Sequence, residues 1–217
     1  MRVVVVGGHG KIARLLTALL VDRGHEVVPV VRRPEQADEL AGARVRPVLL
    51  DIEESGPDAF ADVFRGADAV VFAAGAGPDG RVDRKRTVDL EGSLKSQQGA
   101  AQAGVRRFLQ VSAIGVDEPV GADAGEVWQA YVAAKRDADA ALRGSGLAWT
   151  IVRPGGLTDD PGTGLVHLAE HVERGTVPRA DVAAVLAAAL VTDASIGKQW
   201  ELVSGDTLVG EAVAGTA

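Results

Sequence analysis

Val3-Val4-Val5-Val6-Gly7-Gly8-His9-Gly10-Lys11-Ile12-Ala13 stands almost at the start of the chain, and its reading decides the fold. Four consecutive valines show no apolar/polar alternation, as expected of a strand covered on both faces. Glycines follow at once. Apolar residues then recur at helical spacing (Ile12, Leu15, Leu16, Leu19, Leu20) up to Gly24, where a left-handed cap is expected. Strand, glycine turn and helix come in the order in which a backbone cradles a pyrophosphate. Gly7 permits the tight turn, Gly10 lets the main chain approach, and amide N–H groups at the positive helix end meet the charge. Ala13 lets the helix pack close to the strand. Gly7, Gly8, His9, Gly10, Lys11 and Ile12 are therefore the first candidate dinucleotide contacts.

Outward from this unit the pattern repeats. Short apolar runs at Val27–Val31, Val45–Leu50, Ala69–Ala73, Phe108–Val111, Trp149–Val152 and Trp200–Val203 alternate with amphipathic stretches. Such alternation predicts an α/β fold, a doubly wound, mostly parallel sheet of the Rossmann type with helices on both faces. Long helices are expected near 83–103 and 126–143. The whole chain, 1–217, reads as one domain, with small substrate loops near 113–125 and 155–175, each after the carboxyl end of a strand.

Composition narrows the chemistry. The 217 residues carry a net charge of -7 and no cysteine. Disulfides, thiolate nucleophiles and cysteine metal sites are excluded, and no basic footprint suits nucleic acid or an anionic membrane. His167 and His171 read as a helical i, i+4 surface pair, and no metal site is expected. No apolar run reaches membrane-spanning length and the N-terminus offers no signal-peptide core, so a soluble, cytoplasmic protein acting on a small molecule, monomer or homodimer, is expected. The basic run Arg81–Arg86 and the acid Asp181 read as a solvated face and a helix-dipole partner.

The second run ends in Arg32 and Arg33, where a site for NAD wants an acid to accept from the ribose 2′-hydroxyl; two arginines favour NADP(H) over NAD(H). Asp51, followed by Ile52 after the third run, is placed to meet the adenine, and Ala73-Ala74-Gly75 after the fourth offers a small-residue wall. The only tyrosine, Tyr131, precedes Lys135 by four residues, so both share a helix face. An ammonium beside a phenol lowers its pKa and makes it a usable acid/base near neutral pH. Ser112, at the end of the fifth run, could hydrogen-bond a substrate oxygen and Tyr131 together.

With these residues the sequence resembles the short-chain dehydrogenase/reductase superfamily, in its atypical branch of small NAD(P)-binding proteins of the NAD-dependent epimerase/dehydratase-like group. The motifs are the G-x-x-G-x-x-[GA] turn (Gly7, Gly10, Ala13), Thr87–Gly92, Gly104–Phe108 leading to Ser112, the Y-x-x-x-K pair and Val152-Arg153-Pro154-Gly155. The resemblance implies that Ser112 orients a carbonyl, Tyr131 transfers the proton, Lys135 also touches the nicotinamide ribose and Pro154 borders the nicotinamide. Asp89 stands where typical members place a catalytic asparagine. The implied activity is NADP-dependent hydride transfer between nicotinamide and a small carbonyl or hydroxyl compound. Two alternatives stay open: a non-enzymatic NADP(H) redox sensor, or a flavin or quinone reductase that does not use the tyrosine. A nucleotide-sugar epimerase is disfavoured, since only 14 residues follow Val203.

Overall fold

The computed structural model describes residues 1–77, 80–121 and 123–215. The first half runs β1 (Arg2–Val6), α1 (Lys11–Asp22), β2 (Glu26–Val31), α2 (Pro34–Leu40), β3 (Val48–Leu49), α3 (Pro57–Phe64), β4 (Ala69–Phe72), α4 (Val82–Arg84), a π-helix (Lys85–Glu91) and α5 (Gly92–Gln102). The second runs β5 (Arg107–Val111), α6 (Glu126–Arg143), β6 (Ala148–Pro154), β7 (Gly156–Thr158), β8 (Leu165–Ala169), β9 (Thr176–Pro178), α7 (Arg179–Leu190), a 3-10 turn (Asp193–Ser195), β10 (Lys198–Ser204), β11 (Thr207–Leu208) and α8 (Val209–Gly215).

Nine strands form one sheet in the order β11-β8-β10-β6-β5-β4-β1-β2-β3, and β7 pairs with β9 apart from it. From β3 to β10 the pairing is parallel. The valines of β1 explain the two-sided cover. Val3 and Val5 pack with Leu16, Leu20, Val182 and Leu186 of α1 and α7, whereas Val4 and Val6 face Phe60, Phe64 and Leu142 of α3 and α6. Strand order reverses between β1 and β4, and in such sheets ligands bind in the crevice beyond the carboxyl ends at that point. Gly24 adopts the expected left-handed conformation, with φ 81°.

Three expectations need correction. The run Val45–Leu50 yields a strand only at Val48–Leu49, with Val45 in an isolated bridge to Val27, because Pro47 has no N–H to give to the ladder at this sheet edge. His167 lies in β8, not on a helix. There Val166 and Leu168 face the core and His167 faces out, and β8 runs antiparallel to β10, so the C-terminal third leaves the β-α-β-α pattern and the 155–175 loop is partly strand. The helix expected near 83–103 is interrupted by the π-helical turn, which widens the backbone where Asp89 must turn inward.

The described helices include none long and apolar enough to cross a membrane. Close packing of α5 on α3 depends on Gly99: a Cβ there would lie 2.5 Å from Phe60 Cβ and 3.0 Å from the Ala61 nitrogen. Gly99→Val should destabilise the protein by about 1–3 kcal/mol in chemical denaturation through overpacking, and leave adenine-nucleotide affinity unchanged in the folded protein.

Candidate functional site

The crevice is a cleft of about 280 Å³ whose floor is the turn after β1 and whose wall is the segment after β4. Gly7 has φ 80°, and a Cβ on it would sit 2.6 Å from Ala74 Cα; one on Gly8 would sit 2.4 Å from Pro29 Cβ. Both glycines are required by close approach of main chain. Gly10 is the N-cap of α1 with an ordinary extended conformation, no side chain caps the helix, and no acid stands in its first turn. Its amides are thus left for an anion, and the cradle fits a dinucleotide pyrophosphate.

Of the residues expected to touch the cofactor, Gly7, His9, Gly10, Arg32, Asp51, Ile52, Ala73, Ala74 and Gly75 line this cleft. Gly8 packs beneath it on Pro29. Lys11 pairs with Asp159, which also holds Arg179 at 2.7 Å, and so ties the glycine turn to the segment after β7. Ile12 packs into the core. Arg33 is not brought to the cleft: it is the N-cap of α2, and its backbone N–H donates to Gln36 Oε1 at 3.1 Å. Pro154, buried at the end of β6, accepts the Ile114 N–H at 2.9 Å and lies beyond this cleft with Ser112, Tyr131 and Lys135.

The cleft also holds residues that the motifs did not single out. Glu53 accepts from Arg84 Nη2 at 3.0 Å, from Arg32 Nη1 at 3.4 Å and from Thr87 Oγ1 at 2.7 Å. Burial pushes the Glu53 carboxyl up, but the hydrogen bonds from Arg84 and Thr87 and the charges of Arg84 and Arg32 outweigh it, leaving it below the ordinary glutamate value. The run Arg81–Arg86 is therefore not simply a solvated face. Arg84 lines the cleft and Lys85 is buried.

Behind Gly75 lies the second cluster. Asp89, 1% exposed, accepts the Ala76 N–H through Oδ2 at 3.0 Å, and its Oδ1 stands 3.2 Å from Lys135 Nζ. Lys135 also donates to the Val111 carbonyl at 3.2 Å. The Tyr131 ring lies 5.9 Å from both Lys135 Nζ and Lys85 Nζ, with Trp128 stacked at a tilt 5.5 Å away. Sequence spacing suggested a phenol of lowered pKa; the structure reverses that direction. Burial raises it most, the Lys135 charge opposes, and the charges of Asp89 and Asp139 add to the rise. Burial alone would lower the Lys135 pKa, but Asp89 foremost, with Tyr131 and Asp139, raises it above the ordinary lysine value.

Ser112 is turned elsewhere than expected. Its hydroxyl donates to Asp139 Oδ2 at 2.8 Å, rather than bridging to Tyr131. Asp139 is fully buried and also accepts from Gln110 at 2.6 Å and from Arg153 Nε at 2.8 Å. Arg153, 1% exposed, reaches on to Asp117 at 2.6 Å in the 113–125 loop, of which Ala122 lies outside the described residues. Glu118 to Arg174 and the Gly115 N–H to Glu201 tie the same loop down. Asp181, read as a dipole partner, accepts the N–H groups of Thr163 and Gly164 at 3.0 and 2.8 Å and so fixes the other loop.

Two outcomes are expected. Gly10→Ala puts a Cβ 3.2 Å from the Gly7 carbonyl oxygen, in a conformation any residue adopts, and crowds the pyrophosphate cradle, so NADPH affinity should fall at least about tenfold by calorimetry on the folded protein. Arg153→Met leaves Asp139 buried without its cation and should lower stability by about 3–5 kcal/mol, part of which Asp139→Asn in the same chain should recover.

Comparison with known proteins agrees with this geometry. Residues 7–193 match the NAD(P)H-binding family. The chain is 38% identical to the uncharacterized sugar epimerase YhfK of Bacillus subtilis, over 98% of this chain and 99% of that one. A solved structure from Bacillus halodurans, provisionally named an NAD-dependent epimerase/dehydratase, is 40% identical with a TM-score of 0.90 and 98% of each chain covered. The oxidoreductase ylbE of Lactococcus lactis is 30% identical, with a TM-score of 0.89 over 99% of this chain and 96% of that one. The chain belongs to the NAD(P)H-binding family, as a Rossmann-fold member of the atypical short-chain dehydrogenase/reductase type.

Proposed function

We propose that the protein is an NADPH-dependent oxidoreductase that reduces a small carbonyl compound to the alcohol, with Tyr131 as proton donor. The observation that carries this reading is the single tyrosine with its ring 5.9 Å from the Nζ of a buried Lys135 that is itself paired with Asp89. When bound, the cofactor supplies hydride from its nicotinamide ring. Tyr131 would give its proton to the carbonyl oxygen as the C=O π bond breaks. The phenolate left behind is stabilised by the Lys135 ammonium until solvent returns the proton.

Asp89 keeps Lys135 charged and aimed, and with its grip on Ala76 sets the ammonium against the cofactor wall. Ser112, whose hydrogen is committed to Asp139, has its lone pairs left and acts through position rather than by donating to the substrate. Arg32 in the cleft supports the preference for NADP. The pinned loops after β5 and β7 favour a small substrate. A second reading, a cofactor-binding redox sensor without turnover, draws on that same commitment of Ser112.

With NADPH and a panel of small aldehydes, ketones and quinones, Tyr131→Phe should lower turnover by about 10²-fold or more and leave NADPH affinity unchanged. Unchanged turnover in Tyr131→Phe would overturn the proposal, and NADPH binding with no turnover on any acceptor would support the sensor. The phenol must be protonated to act, and its pKa is raised. The reduction rate should therefore stay level through neutral pH and fall only above the ordinary tyrosine value of about 10. A fall between pH about 6 and 8 would contradict the assignment.

A further inference from the structure

We infer that Arg84 is the second arm of a two-arginine clamp for a phosphate on the 2′-oxygen of the adenosine ribose, set beside Arg32 at one side of the cleft. The inference rests on the NADP reading above and adds to it a specificity-determining residue that no nucleotide-binding motif marks. Arg32 comes from the end of β2 and Arg84 from the end of α4, 52 positions later, yet both line the same cleft beside Asp51 and Ile52. Their guanidiniums converge on one carboxylate. Glu53 Oε2 takes Arg84 Nη2 at 3.0 Å and Arg32 Nη1 at 3.4 Å, while Oε1 is occupied by Thr87.

Glu53 is in effect the jig that holds two flexible cations to one side of the pocket. It is anchored in turn: Asp51 Oδ1 accepts its backbone N–H at 2.9 Å and Lys95 donates to its carbonyl at 2.9 Å. Arg84 is the more buried arm, its side chain 23% exposed against 53% for Arg32. A lone surface arginine loses much rotamer freedom on closing upon a phosphate, whereas one already fixed by a partner loses less. A phosphate dianion has oxygens enough to take a donor from each guanidinium while Glu53 keeps hold of both arms. A hydroxyl brings no charge for the two cations to meet, so the arrangement favours the phosphate.

The probes are adenosine 5′-monophosphate and adenosine 2′,5′-bisphosphate, which differ only in the phosphate at issue, titrated calorimetrically into the full chain. The wild type should prefer the bisphosphate. Arg84→Met should reduce that preference by about tenfold or more, the size of one lost charge-assisted hydrogen bond, with monophosphate affinity held within about twofold. Arg84→Lys should restore part of the preference, and Arg32→Met should lower it comparably. If Arg32→Met abolishes the preference and Arg84→Met leaves it intact, the NADP reading stands and the second arm is wrong. Equal losses for both probes in Arg84→Met mean a structural role and overturn the inference. A wild type indifferent to the 2′-phosphate overturns the NADP reading and the clamp together.

Discussion

The ion pair between Lys135 and Asp89 is the constraint on which the rest of the site depends. Both side chains are almost fully buried, 6% and 1% exposed, and a buried pair repays its desolvation only when the remaining polar atoms are also engaged. Here Ala76 and Val111 engage them with main-chain groups. The pair therefore ties together α6, the π-helical turn, the segment after β4 and the end of β5. It also bears on the tyrosine's chemistry. Burial first of all holds the phenol above its ordinary value; the Lys135 ammonium opposes, and Asp89, by offsetting that ammonium, adds to the rise.

A second buried centre sits behind the first. Asp139 follows Lys135 by four residues and Tyr131 by eight, so all three fall on one stripe of α6. Asp139 binds Gln110, Ser112 and Arg153, and Arg153 extends the connection to Asp117 in the loop after β5. The position of the 113–125 loop is thus coupled to the buried core that Asp139 anchors. That explains how a stretch of glycine, proline and acids can be held against a site without secondary structure of its own.

Much of this was legible in the sequence where local chemistry dictates local geometry. Four valines followed by glycines could form a covered strand and a tight turn, and Gly7 and Gly8 are needed for contacts the motif implies. The Tyr131–Lys135 spacing placed both on one helix face. What sequence could not give was charge balance across elements. Lys135 looked like an activator of the phenol because its partner lies 46 residues earlier, in a π-turn that periodicity does not reveal. Arg84 read as part of a solvated face for the same reason. The one signal available beforehand was the i, i+4, i+8 stripe of Tyr131, Lys135 and Asp139.

Because Tyr131 is the only tyrosine, its ionisation can be read directly by ultraviolet absorbance titration of the folded protein. The account predicts that the phenol titrates above the ordinary value of about 10 in the wild type and moves down in Asp89→Asn, where Lys135 loses its counter-charge. A wild-type phenol that ionises near neutral pH, or one indifferent to Asp89→Asn, would contradict it.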